Sequence, residues 1–319
     1  MEKGISIIVC CYNSAKRIND TLIHLAQLEH SSNVEVLLID NNCSDETVEI
    51  ALNTWKEQGN PYTLQILKES KPGLSYARKC GVAAAKYDLI LFCDDDNHLA
   101  KDYLKIGEAF MRSNPEVGAC FGNASPLFEK EAPKWIYPFL ESYAIGPNNL
   151  KSGEVNPPRV PWGAGLWMPA AFLHSVWPDK RTSKLADRTG KSLSSGGDTE
   201  LCYWAREAGY KWYYLEDLKF KHVVPAERMN KAYLRELHTK FGEADAIIAY
   251  HYNQKQLRTL PSDLDRFLKN ENRRLKLITY LPDFLNNFEQ ELSSRRFWGY
   301  VKKISYLINL SIIITFAQQ

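Results

Sequence analysis

Three consecutive carboxylates, Asp94, Asp95 and Asp96, follow the apolar run of residues 89–93 in the stretch LILFCDDDNHLA. Each repels the next and each loses hydration where a sheet ends. The group therefore calls for a cation, an arginine or backbone capping to neutralise it. The other reading is that one aspartate caps a helix starting near Lys101 while its neighbours face solvent. Further polar residues stand in comparable places. Tyr12 and Asn13 end the run 5–11, and Asp40, Asn41 and Asn42 end the run 34–39. Asp198 opens a helical stretch after Gly196 and Gly197, where capping is its simplest role.

These groups need elements to position them. The first 120 residues alternate between apolar runs and helical patterns. Strands are expected at 5–11, 34–39, 63–67 and 89–93, with helices at 14–28, 45–58, 74–85 and 102–112. Near-continuous apolar strands separated by helices predict an α/β protein with a doubly wound, mostly parallel sheet flanked by helices. Ligands of such sheets sit outside the carboxyl ends of the strands, and the three polar clusters fall there. Residues 123–160 are rich in Pro, Asn and aromatics and read as loop over the sheet. The stretch 162–169 (WGAGLWMP) reads as a strand with small residues where a ligand or backbone comes close. Residues 181–197 have the composition of a loop, Asp198 opens a helix to about Ala208, and 211–215 is a further strand. Helical patterns at 229–252 and in parts of 262–294 form a C-terminal extension. The expected division is a catalytic unit over 1–225, its halves meeting near 122, and an extension over 226–319.

Composition narrows the function classes. With 319 residues, 45% of them hydrophobic and 24% charged, the chain is globular, and a formal net charge of +2 gives no general attraction for nucleic acid. Its seven cysteines include no CxxC pair and several lie in apolar strands, which is cytosolic usage. No signal peptide is expected, because the short run 5–11 ends in Tyr12-Asn13-Ser14 without a cleavage-type region. No run of eighteen apolar residues predicts a membrane span. Residues 255–303 carry eleven Lys/Arg against six Asp/Glu. The tail 304–316 is apolar over thirteen residues, a helix of roughly 20 Å against a hydrocarbon core of roughly 30 Å. Basic and aromatic residues beside it suit a peripheral anchor at the cytoplasmic face of a membrane; a helix packed on protein is the other reading.

Taken together, ISIIVCCYNSA, VEVLLIDNNCSDET, KPGLSYARKCGVAAAKYDLILFCDDDN and GGDTELCYWAREAGYKWYYLEDLKFKHVVP resemble the family 2 glycosyltransferases with the GT-A fold. The resemblance runs over about residues 4–225. It implies an inverting, metal-dependent transfer of a sugar from a nucleotide-sugar donor to a hydroxyl of a glycan or lipid-linked glycan, with a UDP-sugar ahead of a GDP-sugar. Within the DXD pattern it places Asp94 toward the nucleotide sugar and Asp96 on a Mn²⁺ or Mg²⁺ ion, with Asp95 between them contributing least. It puts Asp40 on the base, Tyr12 along base or ribose, Arg78 at the diphosphate, and His222 near metal or diphosphate. Trp162, and less strongly Trp167, could stack on sugar rings.

The same resemblance makes Asp198 the general base. The family often carries Glu-Asp here and this chain has Gly197 in place of the Glu, which leaves Glu200 as the other nearby carboxylate. A sugar-phosphate nucleotidyltransferase would need a glycine-rich loop after Val9, and a processive synthase would need membrane spans and a Gln-x-x-Arg-Trp motif; the sequence has neither. A non-catalytic glycan-binding protein on the same fold is the remaining alternative.

Overall fold

Alternate side chains of β1 (Glu2–Cys11) enter two different cores. Ile5, Ile7, Val9 and Cys11 face one helical layer, while Ile8 faces the other. This is the physical reason the run is apolar throughout: a strand covered on both faces has no side for water. The computed structural model describes residues 1–147, 149–177, 181–185, 187–189 and 196–252. The helical patterns of 262–294, the basic segment 255–303 and the apolar tail 304–316 lie outside the described residues.

The chain continues through α1 (Ile18–Ala26), β2 (Asn33–Asp40), α2 (Thr47–Glu57), β3 (Thr63–Lys68), α3 (Leu74–Ala84) and β4 (Tyr87–Asp94). Then come β5 (Asn97–Leu99), α4 (Tyr103–Ser113), β6 (Val117–Phe128), a 3₁₀ segment (Lys134–Tyr143), β7 (Gly153–Val155), β8 (Leu166–Pro169) and α5 (Ala170–Val176). The last elements described are α6 (Gly197–Glu207), β9 (Lys211–Val224) and α7 (Lys231–Tyr252).

The sheet runs β3-β2-β1-β4-β8-β6-β9-β5, with β7 added on β9. Strands β1–β4, β6 and β9 share one direction, and β5, β7 and β8 oppose it. The expected doubly wound, mostly parallel sheet is therefore present. In the parallel register Cys10 pairs with Asp94 and Cys11 with Asp40, so the polar ends of β1, β2 and β4 line up along one edge.

Three of the departures from the expectation bear on the site. The segment read as loop from 123 onward continues β6 to Phe128, because Asn123–Phe128 pair with residues 219–224 of β9 after a register shift. For the same reason β9 extends to Val224 rather than ending at Leu215. Both extensions carry polar residues in alternation, which hides them from a search for apolar runs. Finally, the aspartates do not lead straight into a helix. They form the turn between β4 and β5, and α4 begins only at Tyr103, after Asp102.

One core holds α1, α2 and α4 against the sheet, and the other holds α3, α5, α6 and the Ala244–Ile248 turn of α7. A third cluster joins the 3₁₀ segment (Ile136, Phe139, Leu140, Tyr143) to Val224, Met229 and Leu234. The boundary expected at 225/226 thus falls just before α7, which is packed into the cores of the preceding residues.

Candidate active site

The aligned strand ends border a cavity of about 820 Å³. Asp94, Asp95, Asp96, Asp198, Arg78, His222, Tyr12 and Trp162 all line it. Asp94 and Asp198 stand 104 positions apart in the chain, and α6 and the end of β4 bring them to one space.

The three aspartates have separate partners. Asp94 closes β4, and its backbone N–H donates to Asn97 Oδ1 at 3.1 Å. Burial, reinforced by Asp96 and opposed by Arg78 and His222, pushes the Asp94 carboxyl up to about 6. Asp95 turns away toward α1. Arg17 Nη2 lies 2.7 Å from its Oδ2, the Ser14 hydroxyl donates to the same oxygen, and Thr21 Oγ1 donates to its carbonyl at 2.9 Å. Asp95 ties the first turn of α1 to the β4–β5 turn. Burial and Asp96 raise its carboxyl, with Arg17 working against them.

Asp96 is buried with His222 Nε2 3.3 Å from Oδ1 and Arg228 Nη1 3.8 Å from Oδ2. Burial opposes its charge, but His222 and then Arg228 prevail and hold the carboxyl well below the usual range. The His222 imidazole is correspondingly raised, Asp96 outweighing the cost of burial. Strand pairing explains the contact: Asn97 stands opposite His222, and Val223 N–H donates to the Asp96 carbonyl at 3.0 Å. Arg17, Arg228, His222 and Arg78 compensate the acidic turn within the protein, arginine being one of the means of neutralisation the sequence calls for.

The donor set nevertheless fits a hard divalent cation. Two carboxylates, Asp94 and Asp96, reach one cavity. Among the described residues no three side chains form a ready-made metal cage. Mg²⁺ and Mn²⁺ take one or two carboxylates and complete their shell with phosphate and water. His222 is engaged with Asp96 through Nε2, while its buried Nδ1 has no partner among the described residues.

At the end of β1, Tyr12 lines the cavity and is 42% exposed. Asp40 Oδ1 accepts the Cys43 N–H at 2.8 Å, closing the turn after β2. The next residue, which the sequence offers only as one of the polar cluster 40–42, does more of the shaping. Asn41 is buried, accepts from Gly73 N–H at 2.8 Å, and donates to the carbonyls of Glu69 at 3.0 Å and Lys71 at 2.7 Å. It pins residues 69–73 as one wall of the cavity. Arg78, the residue expected at a diphosphate, lines the cavity and is largely buried, with Nη1 3.3 Å from Asp187 Oδ2 and its guanidinium 5.6 Å over the Phe92 ring.

Asp198 is not the helix cap. Gly196 holds that position, and Asp198 is the second residue of α6. Its Oδ2 accepts the Gly163 N–H at 2.6 Å and its Oδ1 the Thr199 N–H at 2.8 Å. Glu200, the other nearby carboxylate, is 1% exposed. It accepts from the Ser183 hydroxyl, from Lys184 N–H at 2.8 Å and from Tyr252 Oη at 2.6 Å, so it anchors the 183–185 segment rather than serving a substrate. Trp162 borders the cavity edge-on to Phe121, with centroids 5.2 Å apart. Trp167 is fully buried, stacked 6.4 Å from Tyr103 in the core, and cannot reach a sugar. Its apolar surroundings on β8 are the reason.

The description of glycosyl transferase family 2 matches residues 6–155. Poly-beta-1,6-N-acetyl-D-glucosamine synthase of Staphylococcus aureus (strain COL) is 27% identical over 121 residues, covering 38% of this chain and 28% of that protein. The Staphylococcus epidermidis synthase of the same name is 28% identical over the same shares. The chain thus spans little more than a quarter of the length of these relatives. Among solved structures, S. aureus TarS 1-349 in complex with UDP-GlcNAc superposes with a TM-score of 0.53 at 17% identity, covering 99% of this chain and 92% of that 1-349 chain. The mannosyltransferase PcManGT of Pyrobaculum calidifontis, in complex with GDP-Man and Mn²⁺, gives 0.61 at 16% identity, covering 99% and 88%. Residues 6–155 thus match glycosyl transferase family 2, on a sheet with the GT-A fold of these solved structures.

Proposed function

We propose that this protein is an inverting glycosyltransferase that moves a sugar from a nucleotide-sugar donor to a hydroxyl of a glycan or lipid-linked glycan. The observation that carries the reading is the single cavity that Asp94 and Asp96 share with Asp198. The donor's base and ribose would lie by Tyr12 and the wall held by Asn41, and its diphosphate by the β4–β5 turn. A divalent cation held by Asp94 and Asp96 would neutralise charge on the departing diphosphate. Arg17, paired with Asp95, and Arg228, beside Asp96, keep positive charge at that turn.

The acceptor hydroxyl enters on the Trp162–Gly163 side. Its oxygen forms a bond to the anomeric carbon as the bond from that carbon to the diphosphate oxygen breaks, and the electron pair leaves with the nucleoside diphosphate. The acceptor's proton passes to Asp198, whose two oxygens are aimed by backbone N–H groups of Gly163 and Thr199. A UDP-sugar stands ahead of a GDP-sugar as donor. The basic and apolar 295–316 stretch would hold the protein at the cytoplasmic face of a membrane, beside a lipid-linked acceptor.

The test is release of nucleoside diphosphate from a panel of UDP- and GDP-sugars with and without Mn²⁺. Metal-dependent turnover of at least one donor is expected. Tight binding of a donor with no turnover, in the presence of glycan acceptors, would favour a non-catalytic binder instead.

A further inference from the structure

Gly197 begins α6 beside Asp198, and the space where its side chain would lie is filled. A Cβ built on it would stand 2.3 Å from Oδ2, 2.8 Å from Cγ and 3.3 Å from Oδ1 of Asp187. The backbone does not require glycine here. Gly196 has a left-handed φ of +118°, whereas Gly197 is not among the positive-φ residues. The missing side chain therefore makes room for a carboxylate delivered from elsewhere in the chain.

Asp187 is 8% exposed, and its Oδ2 takes a hydrogen bond from Ser75 Oγ at 3.1 Å and the ion pair from Arg78 Nη1 at 3.3 Å. The other end of the guanidinium heads toward Asp198. A Cβ on Gly163 would meet Arg78 Nη2 at 2.4 Å and Asp198 Oδ2 at 3.1 Å, so both groups converge on that glycine. Arg78 is buried and must have an anion. The charges acting on it are Asp187 first, then Asp198, then Asp94. Without Asp187, the nearest remaining carboxylate is the proposed proton acceptor itself.

We propose that Asp187 is a positioning residue of the acceptor side: it occupies the space left by Gly197 and, by pairing with Arg78, holds that guanidinium off Asp198. The inference rests on the reading of Asp198 as the base. A base tied to a buried guanidinium would hold its negative charge more firmly and take a proton less readily. Asp198 is faced by Arg78 from α3, Asp187 from the loop, the Cys202 thiol one turn along α6, and the N–H groups of Gly163 and Thr199. Arg188 and Asp245 border the same cavity.

An exchange of carboxylates tests this. Asp187→Ala should lower both the melting temperature and kcat, the latter by about 10²-fold, as a misplaced neighbour of the reacting groups does. Gly197→Asp in the otherwise unchanged chain should also lower both, because its carboxylate collides with Asp187. The double variant D187A/G197D should regain most of the melting temperature and bring kcat to within about tenfold of the unchanged protein. In Asp187→Asn the acid limb of kcat/KM should move to lower pH, since Arg78 is freed to pair with Asp198. A double variant no more stable than D187A would overturn the placement. Restored stability with kcat unaffected in every variant would reduce Asp187 to a structural partner of Arg78 and overturn the positioning role. Failure of the unchanged protein to turn over any donor would overturn the proposed reaction, and with it that role, while the melting temperatures still report whether the two carboxylates exchange.

Discussion

Asp198 braces two chain segments as well as facing the cavity, and this changes what its substitution should do. Each oxygen accepts a backbone N–H, so the amide of Asn must turn its NH₂ against one of those donors. Asp198→Asn should therefore cost about 1–3 kcal/mol of stability, more than the few tenths expected of an exchanged helix cap. Its kcat should fall by roughly 10²–10⁴-fold with donor affinity nearly unchanged, as calorimetry with the donor would read. Asp94 makes a pH prediction. Its carboxyl stands at about 6 in the fold against 3.8 ordinarily, so between these values the folded protein holds a proton that the unfolded chain releases. Its contribution to stability therefore falls as pH rises through that window. Asp96 is held low and works in the opposite sense, losing its stabilisation as pH falls through its own depressed range. Metal-free Asp94→Asn should then melt above the unchanged protein at pH 7, with the gain vanishing below about pH 4, and Mn²⁺ should stabilise only the unchanged protein.

At the scale of elements, the site depends on two joints. One is the turn between β4 and β5, where Arg17 and Ser14 hold Asp95 against α1. Arg17→Ala leaves a largely buried carboxylate without its cation. The loss should be about 3 kcal/mol, at the low end for a broken buried pair because the Arg17 side chain is 25% exposed. Asp95→Asn, which keeps hydrogen-bonding capacity, should lose less; denaturant midpoints at constant m-value would compare them. The other joint is Glu200, tying α6 to the 183–185 segment and to Tyr252 of α7. Glu200→Gln should lower the melting temperature while reducing kcat much less than Asp198→Asn. A larger kcat loss at Glu200 would reverse the assignment of the base.

For the whole molecule, α7 is the element that decides where the functional unit ends. Leu234, Ala244 and Ile248 are buried against earlier residues, and Tyr252 Oη takes part in the Glu200 and Trp204 hydrogen bonds. A protein ending after Tyr252 should keep donor binding and a sharp melting transition. One ending at Pro225 should lose both, since it strips apolar cover from two cores. The basic and apolar C-terminal residues give a separate expectation. The full chain should sediment with anionic vesicles and be partly released by salt, whereas the protein ending after Tyr252 should stay in the supernatant.

Strand and helix alternation through the first 120 residues, and the sheet edge where Tyr12, Asp94 and Asp96 border the cavity, were legible in the sequence; Arg17, Arg228 and Asp187, which border it too, were not. Apolar runs and capping residues are local signals, and topology rules convert them into a sheet with its ligands at one edge. What the sequence left open depends on partners far along the chain. That Asp95 serves α1, that Asp96 meets His222 and Arg228, and that Trp167 sits in the core follow from strand register and from which face of a strand is covered. Asp187 is the clearest case. Nothing in the residues around it distinguishes it from any acidic loop residue, and Gly197 reads only as an absence. Folding brings the two within contact distance, because a buried guanidinium needs an anion and only a position without a side chain leaves space for one there.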